Sequence, residues 1–363
     1  MRIKKAILTG GGRATRLHPI TTTINKHLLP LAKKPMIFHA IEKATEAGVT
    51  EIFINVNPGE DELQKAIGDG GHWGISITFF EQTGGPQGIA HVVNEAKKFI
   101  GDEPFMFYLS DNVLLGSLKE MFDEFSESGV DCMLALSEVD DARSFGVPVF
   151  ADDGKTLIDV LEKPSDPPNN FAVTGIYLYG PKIFFDAFDN IEKSARGEYE
   201  ISSIHSYFLK NGKNVGFKEI TGWWRDTGKA EDLLMANRLL LEQLEPETVP
   251  PGVSMDSTAT VEGLVHVGIG AQIGKNVRIE GPVIIGENCV LENATIGPHV
   301  TLSQGCSIKD AEISNAIILD NTEIHVPMHI SESIIGKNVR LTHVPGKAEG
   351  HKMIIGDKTV LEI

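Results

Sequence analysis

The chain has 363 residues, 33 of them basic and 50 acidic, for a formal net charge of −17. That balance argues against nucleic acid and anionic membrane as partners, because both reward a basic surface. The length allows two domains and a large core.

Three cysteines, Cys132, Cys289 and Cys306, show no Cys-x-x-Cys spacing and read as free thiols of a reducing compartment. The apolar run after the basic start is too short for a signal-peptide core, and no run reaches transmembrane length. A cytoplasmic protein is expected.

From residue 1 to 245 strands and helices alternate. A strand is predicted at Ala6-Ile7-Leu8, ahead of Gly10-Gly11-Gly12. A helix over 35–47 carries an apolar stripe at Met36, Ile37, Ala40, Ile41 and Ala44 and stops at Gly48. Strands follow at 51–56, 75–80, 104–109 and 132–136, separated by helices at 60–67, 88–99 and 118–128. Such alternation predicts a parallel sheet covered on both faces. It places Gly10–Arg16 and Ser110-Asp111-Asn112 at the carboxyl edge, where these sheets bind ligands. Beyond Phe145-Gly146-Val147 the pattern is richer in strands, at 157–161, 172–179 and 215–220, with helices at 182–188, 201–211 and 228–245. This section reads as an elaboration of the same domain. Residues 246–252, rich in proline, read as a stiff linker.

After the linker the period changes. Val261, Val267, Ile273, Ile279, Ile285 and Leu291 recur every six residues. The phase then slips by one and continues through Ile296, Leu302 and Ile308, with further rungs at Ile335 to Leu341 and Ile355 to Leu361. A period of six fits no helix of 3.6 residues per turn. It predicts a parallel β-helix over 253–363 with three faces and about eighteen residues per coil. Gly and Asn supply the corners, and Cys289 and Cys306 are expected to stack as small buried fillers on neighbouring coils.

Several clusters carry candidate chemistry. The glycine run with Arg13, Arg16 and Lys26 offers backbone N–H groups and cations to phosphates, although a glycine-rich turn after a strand is also ordinary. It is neither a P-loop nor GxGxxG. Asp111 and Asp226, from distant loops, can together hold one Mg²⁺. Asp226 alone also reads as a helix cap. Glu162-Lys163 reads either as a ligand for a sugar phosphate or as a solvated turn, and Arg196 as either a binding cation or a surface loop residue.

Gly-Gly-Arg-Ala-Thr-Arg-Leu-His-Pro, Asn-Lys-His-Leu-Leu-Pro, Leu-Ser-Asp-Asn, Glu-Lys-Pro, Ala-Val-Thr-Gly-Ile-Tyr and Trp-Arg-Asp-Thr-Gly occur in the order found in the sugar-phosphate nucleotidylyltransferases. The chain resembles that family over nearly its whole length, and its tail resembles the long glucose-1-phosphate thymidylyltransferase form. The resemblance implies a Rossmann-like mixed sheet, a left-handed β-helix of hexapeptide repeats, and Mg²⁺ as cofactor. It assigns Gly10, Gly11 and Gly12 to the nucleotide, Arg16 and Lys26 to the reacting phosphates, and Gln82 and Gly88 to the base. Gly146, Glu162, Lys163, Val173 and Arg196 would hold the sugar phosphate, and Asp111 and Asp226 the metal. Ala14, His27 and the longer loop at 82–88 depart from the family pattern.

The implied reaction joins dTTP and glucose 1-phosphate and releases pyrophosphate. UTP, or N-acetylglucosamine 1-phosphate, remains open as an alternative. So do an acyltransferase site on the β-helix using one of His266, His299, His325, His329, His343 or His351, and a non-catalytic sugar-nucleotide sensor. A homo-oligomer through the β-helix is expected.

Overall fold

The computed structural model describes residues 2–12, 14–220, 222–343 and 358–360. Arg13, His351 and the rung residues Ile355 and Leu361 lie outside the described residues. By packing, the chain forms two compact units. One comprises Met1–Gly12 with Ile37–Asp226, the other Arg13–Met36 with Thr227–Ile363.

The first unit is built on a nine-stranded sheet. Its path runs Leu157–Glu162, Gly146–Phe150, Phe171–Tyr179, Phe105–Tyr108, Lys5–Thr9, Glu51–Val56 and Ser76–Glu81. Cys132–Glu138 pairs with Phe171–Tyr179 and with Val215–Glu219. The strands from Phe105–Tyr108 to Ser76–Glu81 are parallel, as the alternation requires. Phe171–Tyr179 runs antiparallel to its three neighbours and makes the sheet mixed. Leu157–Glu162 is also antiparallel to Gly146–Phe150, so it and Phe171–Tyr179 flank that strand in the same direction, joined by the helix-free connection 163–170.

An aromatic core covers this sheet. Phe105, Phe107, Tyr177, Tyr179, Phe184 and Phe208 are buried in one cluster. Tyr179 donates to or accepts from His205 Nε2 at 2.9 Å, and burial lowers the His205 pKa to about 3. The helix expected over 88–99 is instead Ile89–Glu95 followed by Lys97–Ile100, interrupted at Ala96.

In the second unit three parallel ladders stack around an apolar interior. Met255, Ile273, Leu291, Ile308, Ile324 and Leu341 form one column. Val261, Ile279, Ile296, Ile313 and Ile330 form the second. Val267, Ile285, Leu302, Ile318 and Ile335 form the third. This is the arrangement of a left-handed β-helix, and the expected rungs are its inward residues. The corners use left-handed backbone at Asn276, Asn288, Asn293 and Asn321, a conformation asparagine tolerates better than other side-chain-bearing residues. Cys289 and Cys306 are fully buried on adjacent coils, and Val290 N–H donates to Cys306 O at 2.9 Å.

The same unit contains Arg13–Met36, whose described residues from 14 to 35 carry the short 3₁₀ turns Thr15–Leu17, Ile20–Thr22 and Lys26–Leu28 and the two-residue strands Pro30–Leu31 and Lys34–Pro35. Helix Ala230–Leu241 also belongs here. Among the described residues no helix is long and apolar enough to cross a membrane.

Candidate active site

The parallel strands of the first unit bring their carboxyl ends to one edge. Leu8 pairs with Tyr108 and Val56 with Glu81. Gly10, Asp111, Asn57 and Gln82 therefore follow strands that end together. Ser110 N–H donates to Thr9 Oγ1 at 2.9 Å, which locks the Asp111 loop to the glycine loop.

Each glycine of the run has its own reason. A Cβ on Gly10 would lie 2.6 Å from Leu63 Cδ2, and one on Gly11 would lie 2.7 Å from Asn55 Nδ2. Protein atoms exclude a side chain at both. Gly12 has open space around it but φ +113°, a conformation that L side chains rarely adopt. Two asparagines brace the loop. Gly10 N–H donates to Asn55 Oδ1 at 3.1 Å and Gly12 N–H to Asn57 Oδ1 at 2.9 Å, while Asn57 Nδ2 returns a bond to Gly12 O at 3.2 Å. The sequence reading missed both. The available signal was Asn55 itself, a buried polar residue within an otherwise apolar strand end.

Asp111 and Asp226 are brought together by a contact the sequence did not reveal. Asn112–Leu114 pairs antiparallel with Trp224–Asp226, and Asp226 stands opposite Asn112. Asn112 is 4% exposed. Its Oδ1 accepts the Trp224 indole N–H at 2.9 Å and its Nδ2 donates to Asp111 Oδ1 at 3.0 Å. Tyr108 donates to Asn112 O at 2.9 Å. Burial, reinforced by the Asp111 charge, pushes the phenol pKa of Tyr108 well up, so it stays a donor. Asp226 is no helix cap. The helix begins at Ala230 behind Lys229.

Two carboxylates fit Mg²⁺, a hard ion that takes oxygen ligands and fills its remaining positions with phosphate and water. The buried Ser110 hydroxyl beside Asp111 has no protein partner, so the place is polar and not fully satisfied by the protein. Among the described residues no group of three or more His, Cys, Asp or Glu side chains could form a self-sufficient metal cage.

A second cluster in the same unit collects five expected residues. Gly146 pairs with Glu162 on one side and Val173 on the other. Lys163 follows Glu162 with φ +45°, and its N–H donates to Phe145 O at 3.0 Å. Glu162 Oε1 lies 3.0 Å from Arg196 Nη2 and 3.5 Å from Lys163 Nζ. Arg196 also donates to Glu200 Oε1 at 3.2 Å, and Ser194 Oγ donates to the same oxygen at 2.7 Å. Partial burial opposes the arginine's charge, but Glu200 and Glu162 outweigh it and raise its pKa. The result is two cations held by acids at one strand end, an arrangement suited to a phosphorylated polyol.

Gln82 Nε2 lies 3.4 Å from His91 Nδ1. Gly88 has φ +97°, and a Cβ there would lie 2.5 Å from Tyr199 O. The 82–88 loop therefore lies against the Tyr199 backbone, where Tyr199 N–H donates to Gln87 O at 2.8 Å.

Arg16 and Lys26 lie in the second unit. Arg16 sits in the turn Thr15–Leu17, with its guanidinium against Gly228, whose Cβ would lie 3.0 Å from both Nη atoms. Lys26 is 8% exposed and opens a turn capped by Asn25, whose Oδ1 accepts the His27 N–H at 2.8 Å. On the β-helix, His266 bonds to Glu245 O, His299 to Glu242, His325 to Ser307 and His329 to Ser314. Each ring has a local structural partner.

Comparisons with known proteins show the family. The nucleotidyl transferase family model matches residues 5–243, and a GMPPB C-terminal domain model matches 279–361. A glucose-1-phosphate thymidylyltransferase of Streptomyces griseus is 35% identical over 359 residues, covering 99% of each chain. The low-salt glycan biosynthesis nucleotidyltransferase Agl11 of Haloferax volcanii is 33% identical over 362 residues, covering 99% of this chain and 100% of the relative. A crystal structure of UDP-glucose pyrophosphorylase complexed with UDP-glucose superposes with TM-score 0.59 at 26% identity, over 67% of this chain and 100% of that one. The chain belongs to the nucleotidyl transferase family and, within it, to the sugar-1-phosphate nucleotidylyltransferases.

Proposed function

We propose that the protein transfers a thymidylyl group from dTTP to glucose 1-phosphate, giving dTDP-glucose and pyrophosphate, with Mg²⁺ as cofactor. The observation that carries this reading is the full-length similarity to the Streptomyces griseus thymidylyltransferase. The Glu162, Lys163 and Arg196 cluster supports the sugar-phosphate half.

In this reading a phosphate oxygen of the sugar phosphate attacks the α-phosphorus. The bond from that phosphorus to the bridging oxygen breaks, and pyrophosphate leaves with the electron pair. A phosphate monoester has its second pKa at about 6, so the nucleophile is largely ionised at neutral pH and needs no general base. Both reactants are polyanions, so catalysis consists of positioning and charge neutralisation. Lys163 and Arg196 hold the sugar phosphate, and Gly146 and Val173 shape its seat. Arg16 and Lys26 neutralise the triphosphate. Gly10, Gly11 and Gly12 wrap the nucleotide, and Gln82 and Gly88 meet the base. Asp111 and Asp226 would hold Mg²⁺, which when bound offsets charge on the phosphates.

The division into a catalytic module at 1–245, a linker at 246–252 and a β-helix module at 253–363 belongs to the same proposal. So do a homo-oligomer formed through the β-helix and a cytoplasmic location. The test is pyrophosphate release with a panel of dTTP and UTP against glucose 1-phosphate and N-acetylglucosamine 1-phosphate. The highest kcat/KM with dTTP and glucose 1-phosphate supports the reading. A preference for UTP, the direction in which the UDP-glucose pyrophosphorylase likeness points, overturns the choice of base.

A further inference from the structure

Arg13–Met36 packs in the same compact unit as the β-helix. Its three 3₁₀ turns and two-residue strands have little internal rigidity, so what holds it must come from elsewhere. Ala32 N–H donates to Asn237 Oδ1 at 2.8 Å across 205 residues. The same oxygen accepts the Thr301 hydroxyl at 3.0 Å. Asn237 is 1% exposed and Thr301 2%, so water does not compete for either bond. Thr301 is the middle residue of strand Val300–Leu302 and points outward from the prism, between inward Val300 and Leu302.

Neighbouring contacts reinforce the tie. Ala32, Leu241 and Ile284 form a buried apolar cluster. Lys33 pairs with Glu247, whose second carboxylate oxygen lies 3.2 Å from His266 Nδ1. Ala32 itself is held at φ +53°, a conformation an alanine keeps only when its surroundings impose it.

We propose that Asn237 is a positioning residue that fixes the Arg16–Lys26 segment to the β-helix, making the prism a rigid wall for the triphosphate-binding cations in addition to any assembly role. This rests on the assignment of Arg16 and Lys26 to the triphosphate given above. One side-chain oxygen joins the backbone of the segment, through Ala32, to the third β-helix ladder, through Thr301. Loss of that oxygen leaves two buried donors without a partner and releases the hairpin that follows Lys26.

The test compares full-length Asn237→Leu, Thr301→Val and Asn237→Asp with wild type by hydrogen exchange of residues 14–36 and by steady-state kinetics. Asn237→Leu is expected to speed exchange around Ala32 by about tenfold and to raise KM for the triphosphate while leaving KM for glucose 1-phosphate unchanged. Thr301→Val, a milder change, should move both readouts in the same direction. Asn237→Asp, which keeps an acceptor for both donors, should restore them. Unchanged exchange in folded Asn237→Leu and Thr301→Val overturns the bracing role. Faster exchange with an unchanged triphosphate KM overturns the proposal from the other side, by showing that the segment does not bind the triphosphate.

Discussion

Replacing Gly228 with alanine should move activity and stability in opposite directions. The Arg16 guanidinium lies against Gly228, and a Cβ there would sit 3.0 Å from both Nη atoms and 3.1 Å from Cζ, where ordinary contact begins at 3.4 Å. The guanidinium must therefore retreat by about 0.4 Å or swing away. Arg16 is exposed and its side chain is long, so the steric cost is small. Gly228 lies outside the left-handed region, so alanine fits its backbone and reduces unfolded-chain entropy, worth roughly 0.4–1 kcal/mol in favour of the fold. The melting temperature should hold or rise by about 1–2 °C. Catalysis has no such tolerance, because a misplacement of this order at a charge-neutralising group costs on the order of 10- to 100-fold. The assay is kcat/KM for pyrophosphate release beside a thermal melt. Near wild-type kcat/KM in the folded variant would refute the role given to Arg16, and a fall in melting temperature of several degrees would refute the packing argument.

Asp226→Asn keeps the backbone pairing with Asn112 but removes half of the carboxylate pair. Turnover should fall by about 100-fold or more with the fold intact, and a Mg²⁺ titration that saturates at the wild-type concentration would count against the metal assignment. Lys163→Ala and Arg196→Ala should each raise KM for glucose 1-phosphate by about tenfold, with Arg196→Ala also costing stability because Glu162 and Glu200 lose their shared cation. A KM that does not move in either variant excludes that residue from the sugar-phosphate site. His205 titrates at about 3 in the fold, against an ordinary value of 6.5. The unfolded chain therefore takes up the proton first. The stability tied to neutral His205 is complete above pH 6.5 and drains as pH falls towards 3, which amounts to about 2 kcal/mol lost between pH 7 and pH 5. Urea denaturation of His205→Gln at those two pH values should show a loss smaller by that amount, and an equal loss in both proteins would contradict the burial argument.

Local periodicity made most of the framework readable in the sequence. The strand at 51–56 matches Glu51–Val56 end for end, and the six-residue rungs, including the slip after Leu291, are the inward columns of the prism. In both cases the signal lies within a few residues of itself, since a strand covered on both faces reads as a nearly continuous apolar run and a coil buries one residue per face regardless of its partner. The motifs likewise pointed to Asp111 with Asp226 as a pair for one metal and to Glu162, Lys163 and Arg196 as ligands of the sugar phosphate. Only the tertiary structure showed the contacts by which they meet. Asn112–Leu114 and Trp224–Asp226 are three-residue strands too short to carry a period, and their pairing joins loops more than a hundred residues apart. Asn55 and Asn57 reach the glycine loop across 45 residues. The Arg16–Lys26 segment shares a compact unit with the β-helix, and the buried Asn237 amide bonds both Ala32 and Thr301. Such contacts depend on where whole elements end in space, and a chain of local preferences holds no record of that until the cores on which those elements rest have packed.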